Sequence, residues 1–188
     1  MVKHMLILDM KKVNYYRHYM ENTWNKKFQT QFLTIDWQKM YIRKIKNIPC
    51  MKLAEFNYKL IHNLVVTRYI LNKWNKSVSE KCVFCNDLDS TEHLLFYCSR
   101  IQHMWKLIGI CLKLDIRWFH IIIGLNEDSS FNIARNNIIS IIVYSIYLLW
   151  VKCGNTKSDF KHCNVLNNLK SCLLFYQNIY KEFLNKEK

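Results

Sequence analysis

A mainly α fold is predicted: an irregular helical bundle carrying one small CCHC metal knuckle, with little or no sheet. Three observations predict it. Only three Gly and one Pro interrupt 188 residues, too few punctuators for a turn-rich sheet protein. Apolar residues recur at spacings of three and four along much of the chain, the period of a helix face. Between two such stretches stand Cys82, Cys85, His93 and Cys98, in the order C-x2-C-x7-H-x4-C. Two short pairs of this kind close a tetrahedral shell around one ion.

The elements follow in chain order. Residues 10–33 alternate cations and aromatics without a clean period, and a helix is expected near 11–24. Asp36 reads as an N-cap before Trp37, Met40, Tyr41, Lys44 and Ile45, which recur at helical spacing. Pro49 ends that segment, because the residue before proline avoids helical geometry. A second amphipathic helix is expected over 51–64, with Leu53, Phe56, Leu60, Ile61 and Leu64 as its apolar stripe. Residues 65–74 continue as helix or as a turn plus helix, with Tyr69, Ile70 and Trp74 as the buried side. Polar residues 75–81 lead into the metal turn.

Asp89 reads as the cap of a short helix, with Glu92 three positions on completing a capping-box pattern. That helix carries His93 through Phe96. His93 and Cys98 are about 140° apart on an ideal helix, so Cys98 is expected at a frayed end that swings back to the metal. Residues 101–112 form a further helix packed through Met104, Trp105 and Ile108. A long buried helix covers 133–152, a polar loop 155–162, and a last amphipathic helix 165–184. Segment 126–132 is the best boundary, giving a basic aromatic N-terminal part (1–50), a zinc-binding part (51–125) and a C-terminal helical part (126–188).

The longest apolar run, Ile138 to Val151, has fourteen residues. A membrane span needs about 20, so a core helix is expected and no membrane partner. The first ten residues do not read as a signal peptide. Five cysteines (Cys50, Cys111, Cys153, Cys163, Cys172) lie scattered outside the motif and read as buried thiols. A reducing compartment, nucleus or cytoplasm, fits best.

The net charge is +14, and it is unevenly placed. Residues 1–81 hold 16 Lys and Arg against 5 Asp and Glu; residues 82–130 hold 4 against 6. Such an excess favours RNA or DNA through phosphate neutralisation; the alternative is a well-solvated surface. The candidate phosphate contacts are Lys39, Arg43, Lys44, Lys46, Lys59, Arg68, Lys73, Lys76 and Lys81. Tyr15, Tyr16, Tyr41 and Trp74 are candidates to stack on unpaired bases, with core packing as the competing role.

Thiolates and an imidazole select Zn²⁺. His103 lies five residues beyond Cys98 (C-x4-H) and offers an alternative fourth ligand. Cys82, Cys85, His93 and Cys98 are preferred, because His93 sits in the capped helix. A shell of four protein ligands leaves no position for an activated water, so the zinc is expected to be structural. No phosphate-binding G-x-x-x-x-G-K, no G-x-S-x-G and no paired aspartates of a two-metal polymerase occur. An enzyme with a small-molecule substrate is not expected.

The stretch FNYKLIHNLVVTRYILNKWNKSVSEKCVFCNDLDSTEHLLFYCSRIQHMW resembles the C-terminal zinc-binding region of LINE-type, non-LTR retrotransposon reverse transcriptases. The likeness is carried by Phe56, Tyr58, Lys59 and His62, then Lys81 to Cys85, Glu92 to Leu94, Cys98 and Trp105. Val65-Val66 stands where that family often has proline. The resemblance implies a nucleic-acid-handling accessory domain, with the polymerase palm and the endonuclease absent from this chain. A reverse transcriptase core or a host protein is then an expected partner. Two other readings stay open: a protein-interaction module, and a truncated element remnant.

Overall fold

The computed structural model describes residues 17–29, 35–48, 50–125 and 130–156. They form helices α1 (17–28), α2 (Trp37–Tyr41), α3 (Met51–Ile61), α4 (Arg68–Trp74), α5 (Ser99–Leu112), α6 (Trp118–Ile122) and α7 (Ser130–Thr156). Among the described residues there is no strand, only one antiparallel bridge between Lys81 and Leu88. The expected mainly α class therefore stands.

Asp36 caps α2 as its sequence position predicts, its Oδ1 accepting the Lys39 N–H at 3.0 Å. The helix then widens into a π turn over Ile42–Lys46, closed by Asn47 N–H to Ile42 C=O at 2.9 Å. Pro49 itself lies outside the described residues. Helix α3 ends three residues earlier than the stripe suggested. Asn63 is left-handed (φ 54°), and Leu64 N–H returns to Lys59 C=O at 2.7 Å while Asn63 N–H reaches Leu60 C=O at 3.1 Å. This pair of bonds satisfies carbonyls that the helix end orphans.

Helix α4 departs from expectation. None of its residues is buried, and Trp74 is 73% exposed. The helix spans only seven residues, and its packing side is supplied by the turn before it, where Val65 and Thr67 are buried. Helix α5 starts at Ser99 and ends where Lys113 turns left-handed (φ 50°).

The main apolar core draws on most of the described elements: Met20, Trp24 and Phe28 of α1, Met40, Phe56 and Leu60, Leu94 and Leu95, Ile101 and Trp105, Ile121 and Ile122, and Ile139, Ile142 and Ile146 of α7. Three tryptophans pin it through their indole N–H groups. Trp24 donates to Ile61 C=O at 2.7 Å, Trp105 to Leu95 C=O at 2.9 Å, and Trp150 to Asp89 Oδ2 at 3.0 Å. Helix α7 contains one stretch, Asn132–Lys152, long and apolar enough to cross a membrane. Most of that stretch is packed inside the bundle.

Lys44 lies inside as well, 1% exposed. Its Nζ reaches Ser140 Oγ on α7 at 3.3 Å, and Asn57 Nδ2 donates both to Lys44 C=O at 2.8 Å and to the same hydroxyl at 3.2 Å. Burial first, and then the neighbouring Arg43 charge, bring the Lys44 ammonium down to about 7. Cys111 is exposed and Cys50 half-buried, contrary to the reading of both as core thiols. Tyr15, Tyr16, Cys163, Cys172 and the expected last helix 165–184 lie outside the described residues. Helix α7 continues to Thr156, so positions 155 and 156 of the expected 155–162 loop are helical, and 157–162 lie outside the described residues.

Candidate metal centre

The turn at Cys82 is built from backbone bonds that any residues would make, plus one left-handed position. Asn86 N–H bonds Cys82 C=O at 3.0 Å, Cys82 N–H bonds Asp87 C=O at 2.6 Å, and Asp89 N–H bonds Glu80 C=O at 2.9 Å. Asn86 takes φ 71°, a conformation asparagine tolerates better than most residues. Phe84, 5% exposed, anchors the turn in the core while its N–H points at Cys82 Sγ, 3.4 Å away.

The second pair comes from a short helical turn. Ser90, not Asp89, is its cap: Ser90 Oγ accepts the His93 N–H at 3.1 Å. The backbone then widens into a π turn over His93–Tyr97, closed by Cys98 N–H to His93 C=O at 2.7 Å. A turn wider by one residue stacks position i+5 over position i. Cys98 thus comes round to His93 without a frayed end. Cys98 leaves the turn with ψ 128°, and its carbonyl accepts the Ile101 and Gln102 N–H groups as α5 begins.

The donor atoms of Cys82, Cys85, His93 and Cys98 all lie within 4.8 Å of one another. His93 Nε2 stands 3.1 Å from Cys85 Sγ, so this ring nitrogen faces the cluster. Cys82 and Cys98 are buried; Cys85 and His93 are half-buried. Such a set of three sulfurs and one imidazole fits tetrahedral Zn²⁺ and fills its shell, which is the pattern of a structural ion. The side-chain hydrogen bond with Cys98, then burial, push the Cys82 thiol upward. Burial pushes Cys85 the same way. A divalent cation reverses that preference, since it binds thiolate. His103 is exposed on α5 and outside the cluster.

Asp89 caps a helix, but not its own. Fully buried, it accepts the Arg68 N–H at the start of α4 through Oδ2 at 2.8 Å, and Tyr69 N–H reaches its carbonyl at 3.4 Å. The same Oδ2 takes the Trp150 indole N–H. Burial pushes its carboxyl upward, opposed by the Arg68 and Trp150 hydrogen bonds. The metal loop is therefore bound to α4 and α7. Nothing in the spacing of the sequence announces this role.

The predicted cations divide. Lys39, Lys46, Lys73, Lys76 and Lys81 are exposed, as is Lys59, which pairs with Glu55 at 2.6 Å. Arg68 is half-buried at the head of α4, and Arg43 is half-buried with Nη1 donating to Leu125 C=O at 3.2 Å. Lys44 is withdrawn from the surface altogether, because the π turn aims it at Ser140. Trp74 is available to solvent, and Tyr41 is half-buried beneath the Arg17 guanidinium, 4.5 Å above its ring.

Residues 14–105 match the family described as "zinc-binding in reverse transcriptase", a span that contains all four members of the cluster and ends at Trp105. No curated protein and no solved structure matches the chain.

Proposed function

We propose that this chain, whose segment 14–105 belongs to the reverse-transcriptase zinc-binding family, is a non-catalytic accessory module of a LINE-type element that holds RNA or DNA. One observation supports this most: a closed Cys3His cluster belongs to a chain of net charge +14 whose cationic excess lies mainly in the residues ahead of it. The zinc fixes the loop; the loop, through Asp89, fixes α4; and α4 and its exit present Arg68, Lys73, Lys76 and Lys81. Exposed lysines on a rigid element neutralise phosphates and release counterions. Lys39, Lys46, Lys59 and Arg43 extend the basic surface, whereas Lys44 does not take part.

Anisotropy of a labelled single-stranded RNA 20-mer, titrated between 50 and 200 mM salt, tests the proposal. Affinity should fall steeply, with a slope that counts several phosphate contacts. Weak binding that is flat in salt overturns it.

A second reading is favoured by α5, where Ile110 is 75% exposed and Leu107 is also uncovered. Such a face suits docking on a polymerase core or a host protein. The apolar side of residues 138–150 on α7 is mostly occupied by the bundle's own core.

A further inference from the structure

We propose that the cleft between α1, α4 and the Ser90–Glu92 segment receives one unpaired nucleotide of a single strand, its base beside Thr67 and Trp118 and its phosphate on Lys73. The inference rests on the nucleic-acid reading above and locates its principal contact.

The cleft encloses about 420 Å³, and Trp24, Lys27, Thr67, Tyr69, Lys73 and Trp118 are among its walls. That volume lies in the roughly 300–1,000 Å³ range of small-ligand sites. Two wall residues are buried and carry polar atoms without a hydrogen-bond partner among the described residues: Thr67 Oγ1, in a residue 0% exposed, and Trp118 Nε1, in one 4% exposed. Buried polar atoms are normally paired, so two orphans on one cavity call for a ligand.

Thr67 has an identifiable reason to be free. It occupies the N-cap position of α4 yet makes no side-chain cap bond. Asp89 takes the Arg68 N–H instead, so the threonine hydroxyl is not used as the cap of α4. A hydroxyl that both donates and accepts and an indole that only donates, on the walls of one cleft, suit the edge of a base, where carbonyl oxygens and ring nitrogens accept.

The charge at the mouth is also selective. Lys27 is paired with Glu92. The Lys73 ammonium lies 4.3 Å over the Tyr69 ring, and among the described residues no carboxylate pairs with it. Lys73 is therefore the uncompensated cation at this site. Arg68 and Lys76 flank it along α4 and its exit, with Trp74 exposed beside them. Exposed Lys73 and Lys76 with an exposed aromatic between them in sequence suit a nucleotide strand better than a single small anion.

The test uses the full zinc-loaded chain with fluorescein-labelled oligo(U) and oligo(dT) 12-mers. Lys73→Gln should weaken binding about fivefold at 100 mM salt and lower the salt slope by about 1. Thr67→Val should weaken binding about threefold and leave the slope unchanged. Lys106→Gln on α5 serves as the charge control. On the unsubstituted protein, an oligonucleotide carrying 4-thiouridine should cross-link within residues 67–73 or at Trp118; this arm needs no variant to fold. Zinc stoichiometry and circular dichroism verify each variant. If the protein binds with steep salt dependence but Lys73→Gln and Thr67→Val match Lys106→Gln, or the cross-links fall elsewhere, the cleft is not the site and the broader reading stands. If neither oligonucleotide binds in a salt-dependent way, the broader reading itself is overturned.

Discussion

Trp150 donates its indole N–H to Asp89 Oδ2 at 3.0 Å, joining the end of α7 to the loop between the two halves of the zinc site, sixty-one positions away in sequence. The same oxygen receives the first N–H of α4. Three elements that are far apart in the chain therefore share one buried carboxylate. Hydrogen bonds to a charged group in the interior are among the stronger ones, about 1.5–3 kcal/mol each.

Trp150→Phe should keep the ring packing and remove this bond. Stability should fall by about 1–3 kcal/mol, because the carboxylate stays buried with one donor fewer. Zinc affinity should fall modestly with it. Chemical denaturation and a competitive zinc-chelator titration read the two effects. A variant as stable as the wild type would show that Asp89 is satisfied without Trp150.

Metal removal should do more than loosen one loop. Structural zinc sites of this size contribute on the order of 10 kcal/mol of apparent binding energy to folding. Strong chelator, or Cys82→Ser, should abolish cooperative unfolding and erase much of the helical circular dichroism. His93→Ala should lower bound zinc below one equivalent, whereas His103→Ala should leave it at one. Zinc retained in His93→Ala but lost in His103→Ala would reassign the fourth ligand.

Much of this was legible in the residues because the physics is local. The helices follow from apolar spacing and scarce Gly and Pro, and the metal cluster from two chelating pairs. Even the burial of Lys44 had a signal: it occupies the i+7 place of the stripe that Trp37, Met40 and Tyr41 begin. What could not be read depends on distant partners or on small backbone choices. Asp89 carries the sequence mark of a local cap, yet Ser90 does that work and Asp89 serves α4. The π turn that aligns His93 with Cys98 is one residue of extra winding, invisible to a period count. Trp74 looked apolar enough for a core, but a seven-residue helix whose preceding turn does the packing leaves it outside.

Lys44 makes stability depend on pH in a predictable direction. An unfolded lysine titrates near 10.4, whereas burial brings folded Lys44 down to about 7. Between those values the unfolded chain holds the extra proton, so stability rises with pH from about 7 to about 10. Below pH 7 the folded state carries the full cost of a buried ammonium, on the order of 4 kcal/mol. Lys44→Met should therefore stabilise the protein most at pH 6.5, and the gain should shrink towards pH 9. Comparing the two proteins at each pH cancels the titration of the cysteines and of Tyr41, which burial raises to about 12. A difference independent of pH would mean that Lys44 stays charged in the fold.

Gly109 closes α5 by allowing two pieces of backbone to meet. Leu114 N–H bonds the Gly109 carbonyl at 2.9 Å, and a Cβ at this position would stand 2.8 Å from Leu114 O. Backbone is the neighbour, so no side chain can swing aside. Alanine in mid-helix would ordinarily stabilise by up to about 1 kcal/mol, but forcing this contact apart costs about 1–3 kcal/mol. Gly109→Ala should thus lower the melting temperature despite its better helix propensity. An exposed control, Arg100→Ala on the same helix, should change it little. A higher melting temperature for Gly109→Ala would mean that the turn at Lys113–Leu114 relaxes easily, and that the left-handed residue rather than the close approach fixes the end of α5.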